Sequence, residues 1–198
     1  MYNFLSLDSG INLVYGEGGT GKTTLALMLI KDCAKKDKVI FIDTENGFSF
    51  DRFKQIAGKD HEKYLKNVLL FKVKDFETQY KTIKSLINIK NVALIIIDTI
   101  GNYHRLKLKE DHKYANNKID EELKILKHLN KKGIKILVTN QVYTNTEDNK
   151  INLVGGEMIK KFADCLIKLE RSPRKLIREK PNYLESYFEI KEEGICLK

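Results

Sequence analysis

Cysteine is scarce and poorly spaced for chemistry. Cys33, Cys165 and Cys196 are spread across 198 residues, and no Cys-x-x-Cys pair occurs. Neither a disulfide framework nor a zinc site is indicated, so the three read as reduced core thiols. Histidine is equally scattered: His61, His104, His112 and His128 have no second plausible ligand nearby in sequence. Long apolar runs are missing too. The longest, "VALIIID" at 92–98, falls far short of the roughly 20 residues of a membrane span and reads as a buried strand. "MYNFLSLDSG" has no basic region leading into an apolar stretch. A signal peptide and a membrane partner are therefore not expected, and a cytoplasmic location is. No repeat, linker or low-complexity block divides the chain. Residues 1–198 are expected to form one domain.

What is present suits a globular protein. The 42 % hydrophobic share supplies a core, and 32 % charged residues make an ordinary solvated surface. The net charge of +9 and pI near 9.3 favour a polyanionic partner such as nucleic acid. Lysine is spread along the whole chain, however, and a solvated surface alone would look the same.

Apolar strands alternate with amphipathic helices. Strands are expected at 11–16, 38–43, 67–73, 91–98 and 134–141. Helices are expected at 21–36, 51–57, 76–89 and 119–132. On the first helix, Leu25, Met28, Leu29 and Cys33 fall on or near one face. This order predicts right-handed βαβ units: an α/β fold with a mostly parallel central sheet and helices on both faces. Beyond residue 160, "DCLIKLERS", "RKLIREK" and "SYFEIKEEGICLK" are short strand-like runs, read as an antiparallel extension of the sheet. Two stretches read as loops: 101–117, polar and basic, and 142–156, ending in Gly155 and Gly156.

"GEGGTGKT" (16–23) matches G-x-x-x-x-G-K-[ST], with an apolar strand before it and a helix after it. Backbone N–H groups can converge on a phosphate only where no Cβ blocks the approach, which explains Gly16, Gly18, Gly19 and Gly21. The helix N-terminus adds positive potential. Thr20, Lys22, Thr23 and Thr24 complete the candidate nucleotide contacts. Lys22 suits the β- and γ-phosphates, and the Thr23 hydroxyl suits Mg²⁺. Asp98, ending a fully apolar strand, suits the second magnesium contact; the bland alternative is a helix cap. In "FIDTENGFSFDRF" (41–53), Asp43 and Glu45 end a strand on the same sheet edge. Glu45, further from the apolar run, is the better candidate to polarise an attacking water. In "VTNQV" (138–142), Asn140 and Gln141 can sense a γ-phosphate, or simply end a polar strand.

Together these motifs resemble the ATPase core of the RecA/RadA recombinases, a RecA-like P-loop NTPase fold, and in particular its short archaeal paralogues. The resemblance covers nearly the whole chain. It implies ATP and Mg²⁺ as cofactors, Glu45 as catalytic glutamate and Gln141 as sensor. It also implies Arg52 against the adenine and Arg105 at the start of the first DNA-binding loop. "NLVGGEMIKKFAD" is similar to the segment after the second DNA loop, where Lys160 and Lys161 stand as candidates for a phosphate contact across a subunit interface. "KPNYLESYFEIKEEGI" resembles a C-terminal hairpin that caps ATP in a neighbouring subunit. For DNA contact, the basic stretch after Asp98 offers Arg105, Lys107 and Lys109. Tyr103 and His104 could stack on bases, although Tyr103 reads better as packing.

The departures sharpen the expectation. A phosphate loop starting at residue 16 leaves no room for the N-terminal helical DNA-binding domain or the Phe-containing polymerisation segment of full recombinases. The stretch 142–154 is short and holds Glu147 and Asp148. These features favour an accessory protein of recombination and repair that binds ATP and DNA, hydrolyses ATP weakly and lacks strand exchange of its own. Its partners would be single-stranded or branched DNA, a RadA-type recombinase, a junction-cleaving nuclease or further copies of itself. The alternatives are a KaiC-like signalling ATPase, which would pair two glutamates where this chain has Glu45-Asn46, and a non-catalytic protein shaped by ATP.

Overall fold

The computed structural model describes residues 5, 7, 10–144, 151–153 and 156–198. Its central sheet runs β10-β9-β8-β7-β1-β5-β4-β2-β3. The parallel part comprises β1 (Ile11–Gly16), β2 (Lys38–Asp43), β3 (Val68–Lys72), β4 (Val92–Asp98) and β5 (Lys135–Thr144), joined on its other side by β7 (Ala163–Arg171). Then β8 (Arg174–Lys180), β9 (Leu184–Lys191) and β10 (Gly194–Leu197) continue antiparallel. This is a RecA-like fold, with the antiparallel extension read from the sequence. One strand, β5, separates β1 from β4.

Each parallel strand feeds two cores because successive side chains point to opposite faces. Ile11, Leu13 and Tyr15 face one core, while Val14 faces the other. Ile40 and Ile42 oppose Val39 and Phe41 in the same way. The first core is covered by α4 (Phe76–Ser85), α5 (Gly101–Leu108), α6 (His112–Lys131) and α7 (Gly156–Phe162). The second is covered by α1 (Lys22–Cys33), α2 (Phe50–Ala57) and α3 (His61–Leu65), together with Phe188 and Ile195 of the terminal hairpin. Polar side chains cap the start of α2, α4 and α6. Ser49 accepts from Arg52 N at 3.1 Å, Asp75 from Thr78 N at 2.7 Å and Asp111 from Tyr114 N at 2.9 Å.

Helix α1 is buried on more than one face. Leu25, Ala26, Leu27, Leu29 and Ile30 are all inaccessible. The sheet lies on one side; on the other, Gly194 packs so close to Met28 that a Cβ would fall 2.4 Å from its Sδ. The expected single face of Leu25, Met28, Leu29 and Cys33 is therefore too narrow. Of the three cysteines only Cys165 is in the core; Cys33 and Cys196 are half-buried, and none of the three is in a disulfide.

Two expected loops are corrected. Residues 101–117 form α5 and the start of α6, which begins seven residues before the expected 119. The cause is the Asp111 cap, together with Ala115 and Ile119, which extend the buried stripe of Leu123, Leu126 and Leu129. Buried His104 adds a tie from Nε2 to Asn116 Oδ1 at 3.1 Å. In 142–156, β5 continues to Thr144 and pairs antiparallel with β6 (Ile151–Leu153), and α7 starts at Gly156. Glu147, Asp148 and Gly155 lie outside the described residues. Among those described, no helix is long and apolar enough to cross a membrane.

One carboxyl sits deep in the first core. Glu122 of α6 is fully buried and accepts from Gln79 Nε2 of α4 at 2.9 Å. The same nitrogen donates to Ile100 O at 3.2 Å. Glu122 Oε1 and Gln79 Oε1 lack partners among the described residues, which suits a neutral carboxyl with a proton to donate. Burial pushes Glu122 up to about 8, and the Gln79 bond opposes this only in part. The folded state thus holds the proton more tightly than the unfolded chain. This group's contribution to stability is complete below about 4.5 and is lost as pH rises through about 8. Glu122→Gln, which stays neutral, is expected to gain thermal stability over the parent as pH goes from 5 to 8. Circular dichroism melts would read this as a widening Tm gap of several degrees, at about 2–4 °C per kcal/mol. A gap independent of pH would show that Glu122 does not titrate in this window.

Candidate functional site

The parallel register brings the expected motifs to one edge. Gly16 pairs with Gln141, Ile97 with Val138 and Asp43 with Asp98. The carboxyl ends of β1, β5, β4 and β2 therefore form a row, the place where open α/β sheets bind ligands.

The loop between β1 and α1 is shaped by its glycines. Gly21 caps α1 with φ +107° and Gly19 has φ +72°, values that L side chains rarely adopt. A Cβ on Gly16 would lie 2.3 Å from Leu169 O. A Cβ on Gly18 would meet nothing within 4 Å beyond its chain neighbours, so the loop presents an open face there. Thr20 Oγ1 donates to Glu17 O at 2.9 Å, and Arg174 Nη1 donates to Gly19 O at 3.2 Å. Lys22 folds over the loop, its Nζ donating to Gly16 O and Glu17 O at 2.8 Å each. Burial pulls Lys22 below the usual lysine range, opposed by Asp98, Glu45 and Glu17. Thr24 lies in the first turn of α1 and is half-buried.

Beside the loop, Thr23 Oγ1 donates to Asp98 Oδ2 at 2.7 Å. Asp98 Oδ1 accepts a short bond from Thr139 of β5. Burial pushes the Asp98 carboxyl up, and the Thr139 and Thr23 bonds draw it down. A Cβ on Gly47 would sit 3.7 Å from Thr23 Oγ1 and 3.8 Å from Asp98 Oδ2. An open phosphate cradle next to a paired hydroxyl and carboxylate fits a nucleotide with its magnesium ion.

The two acids after β2 separate cleanly. Asp43 is buried and accepts from the backbone N–H groups of Glu45, Gly47 and Phe48 at 3.0–3.2 Å; it braces its own loop. Glu45 is exposed and points across the edge. Thr99 Oγ1 donates to Glu45 Oε1 at 2.8 Å, and Gln141 Nε2 lies 2.9 Å from both carboxylate oxygens. Asn140 is buried and accepts from Gln141 N at 3.0 Å, which leaves Gln141 as the amide that reaches the site.

Other expected residues lie around this centre. Arg52 of α2 donates to Lys191 O at 2.6 Å and Glu192 O at 3.1 Å, in the turn of the terminal hairpin. Arg105 is exposed on α5, a helix rather than the expected loop, and exposed Lys109 caps its C-terminus. Lys107 pairs with Glu110 at 2.9 Å. His104 is fully buried and unable to stack on a base. Tyr103 donates to Val73 O at 3.0 Å and packs against the core, as expected. Lys160 of α7 lies 5.8 Å from the ring centre of Tyr15, on the sheet face opposite α1, and Lys161 beside it is exposed. Sequence reasoning missed Thr44, Thr99, Asn102, Thr139 and Arg174. Thr139, in the quoted "VTNQV", was the one readable in place, because a polar residue at the end of an apolar strand invites a partner.

Fold and edge together define the class: a RecA-like P-loop core. Comparison with known proteins narrows it. The Rad51 family matches residues 7–196, and the chain belongs to that family. It is 35 % identical to the DNA repair and recombination protein RadB of Methanococcoides burtonii over 172 residues, covering 83 % of this chain and 76 % of the relative. The protein of the same name from Methanocaldococcus jannaschii is 30 % identical over 194 residues, covering 93 % and 87 %. Among solved structures, the crystal structure of the RadB recombinase superposes with a TM-score of 0.76 at 31 % identity, covering 94 % of this chain and 89 % of the other.

The glycines yield a paired expectation. Gly16→Ala forces a Cβ against backbone and should cost about 1–3 kcal/mol of stability. Gly18→Ala has room in the protein and should leave Tm unchanged. It intrudes on the open cradle, however, and should weaken ATP binding at least about tenfold. Thermal melts and titration with a fluorescent ATP analogue separate the two. Equal ATP affinity in Gly18→Ala and the parent would mean that phosphates do not lie there.

Proposed function

We propose that the chain is an ATP- and DNA-binding accessory protein of homologous recombination and DNA repair, with weak Mg²⁺-dependent ATP hydrolysis and no strand exchange of its own. The observation that carries this reading is the placement of Glu45. Its carboxylate is held over the same sheet edge as the phosphate loop and the Thr23–Asp98 pair, where a base for water must stand.

Lys22, Thr23 and the loop N–H groups hold the phosphates. Thr23 and Asp98 hold the magnesium ion, which neutralises phosphate charge when bound. Glu45 accepts the proton of the attacking water. Gln141, now on Glu45, is the amide placed to exchange that contact for a phosphate oxygen. Arg52, fixed by two carbonyls, offers the face of its guanidinium to the adenine. Arg105, Lys107 and Lys109 contact single-stranded or branched DNA. Lys160 and Lys161 face away from α1, so a phosphate contact by them would be made in another copy of the chain. A RadA-type recombinase or a junction-cleaving nuclease is the expected protein partner.

A second reading has one observation in its favour: Gln141 occupies both oxygens of Glu45. The protein would then be a switch set by ATP binding alone. Glu45→Gln decides. The hydrolytic reading expects ATP affinity within about twofold of the parent and turnover lowered about 10²-fold or more. Turnover surviving the substitution would remove Glu45 as base, and no turnover in either protein would establish the switch.

DNA contact has its own test. Affinity for an oligothymidylate should fall steeply with salt, because counterions are released on binding. Reversing Lys107 and Lys109 to glutamate should weaken binding and reduce the log–log salt slope by at least about 1.4, the share of two single-strand phosphate contacts. Unchanged affinity and slope would dismiss α5 as the contact.

A further inference from the structure

Thr44, immediately before Glu45, has every hydrogen-bonding group engaged by the segment that begins α5. Its N–H donates to Asp98 O at 3.0 Å. Its hydroxyl donates to Thr99 O and accepts from Thr99 N–H, both at 2.8 Å. Its carbonyl accepts from Asn102 Nδ2 at 2.7 Å. Thr99 then donates its own hydroxyl to Glu45 Oε1 at 2.8 Å. Thr44 and Thr99 are 2 % and 1 % exposed, so water does not compete for these bonds. Both the backbone leading into Glu45 and one of its carboxylate oxygens are thus held by residues 98–102.

Asn102 is the second residue of α5. Arg105 of α5 and Lys109, which caps its C-terminus in helical conformation, follow at i+3 and i+7, a spacing that puts all three on one stripe. Both cations are exposed. Only Thr99 and Ile100 separate β4 from α5, so a tilt or rotation of the helix has little slack before it reaches Asn102 and the Thr99 peptide.

We propose that Asn102 and Thr99 are positioning residues for Glu45, and that through them a nucleic-acid strand on the Arg105–Lys109 stripe of α5 sets the orientation of the base. The inference rests on Glu45 as base and α5 as DNA contact, and it adds a physical connection between the two. Asn102 is half-buried and acts through the Thr44 carbonyl rather than on the reacting atoms.

The test uses the full chain with an ATP analogue or ATP, with and without an oligothymidylate. Two readouts are taken: amide hydrogen exchange of residues 43–53 by mass spectrometry, and kcat and KM for ATP. In the parent, the oligonucleotide should change both the exchange of this segment and kcat. Asn102→Ala should bind ATP and oligonucleotide within about twofold of the parent yet lose the exchange response. Thr99→Val should lower kcat about tenfold to a hundredfold at unchanged KM, as expected for a misplaced base. Thr99→Ser, which keeps the hydroxyl, should restore it. Should Thr99→Val not fold, Thr99→Ala carries the same comparison.

An Asn102→Ala protein that binds the oligonucleotide and keeps the full exchange response would overturn the proposal. So would a parent that binds the oligonucleotide without any change at 43–53, or one that does not bind it at low salt. Turnover that survives in Glu45→Gln would instead remove the base assignment, while the exchange response would still report whether α5 and the Glu45 loop are tied.

Discussion

Asp98 is the joint on which the site depends. Its two oxygens bind a threonine from α1 and a threonine from β5, and its carbonyl binds the backbone of Thr44 after β2. Three elements that are distant in sequence are thereby fixed to the end of β4. The geometry is possible because β5 lies between β1 and β4. Gln141, the β5 residue paired with Gly16, meets Glu45 beside the end of β4. Desolvation works against the charge on both Asp98 and Lys22. A doubly charged cation and a phosphate chain would relieve that cost, and their binding would then be coupled to the electrostatic stability of this edge.

The two acids of the β2 loop show how similar side chains divide labour. Asp43 spends its acceptors on three backbone N–H groups and cannot serve a substrate. Glu45, two residues on, is held by side chains alone, from Thr99 and Gln141. Such bonds can be exchanged without unfolding the loop. A braced acid supplies the rigid platform, and a loosely tethered acid supplies the movable group.

The parts legible in the sequence were those where chemistry restricts residue type. A phosphate cradle requires glycines at set positions, and a strand buried on both faces requires a run such as "VALIIID" with its acid at the end. What stayed hidden depends on register or on polar packing. Thr44, Thr99 and Asn102 acquire meaning only because Asp43 pairs with Asp98 and brings two loops side by side. Helix α5 was obscured by its basic, polar composition, and its stability comes from buried His104 and from α6 rather than from an apolar stripe of its own. The double burial of α1 was equally unreadable, because Gly194 and Ile195, which cover it, are more than 150 residues away.

The place of β1 in the sheet has a consequence for how the protein is made. Residues 11–16 form a central strand whose neighbours are residues 135–144 and 163–171. During synthesis this apolar segment leaves the ribosome well before either neighbour and finds no partner in the sheet until they follow. Helix α1 waits longer still, for the hairpin that ends at Leu197. Pairings this distant are slow to form and leave apolar surface exposed meanwhile. The residues of this sheet edge are therefore translated far apart and assembled late. A ligand held at this edge would therefore meet its full site only in a chain that has completed these pairings, and would stabilise that chain against reopening.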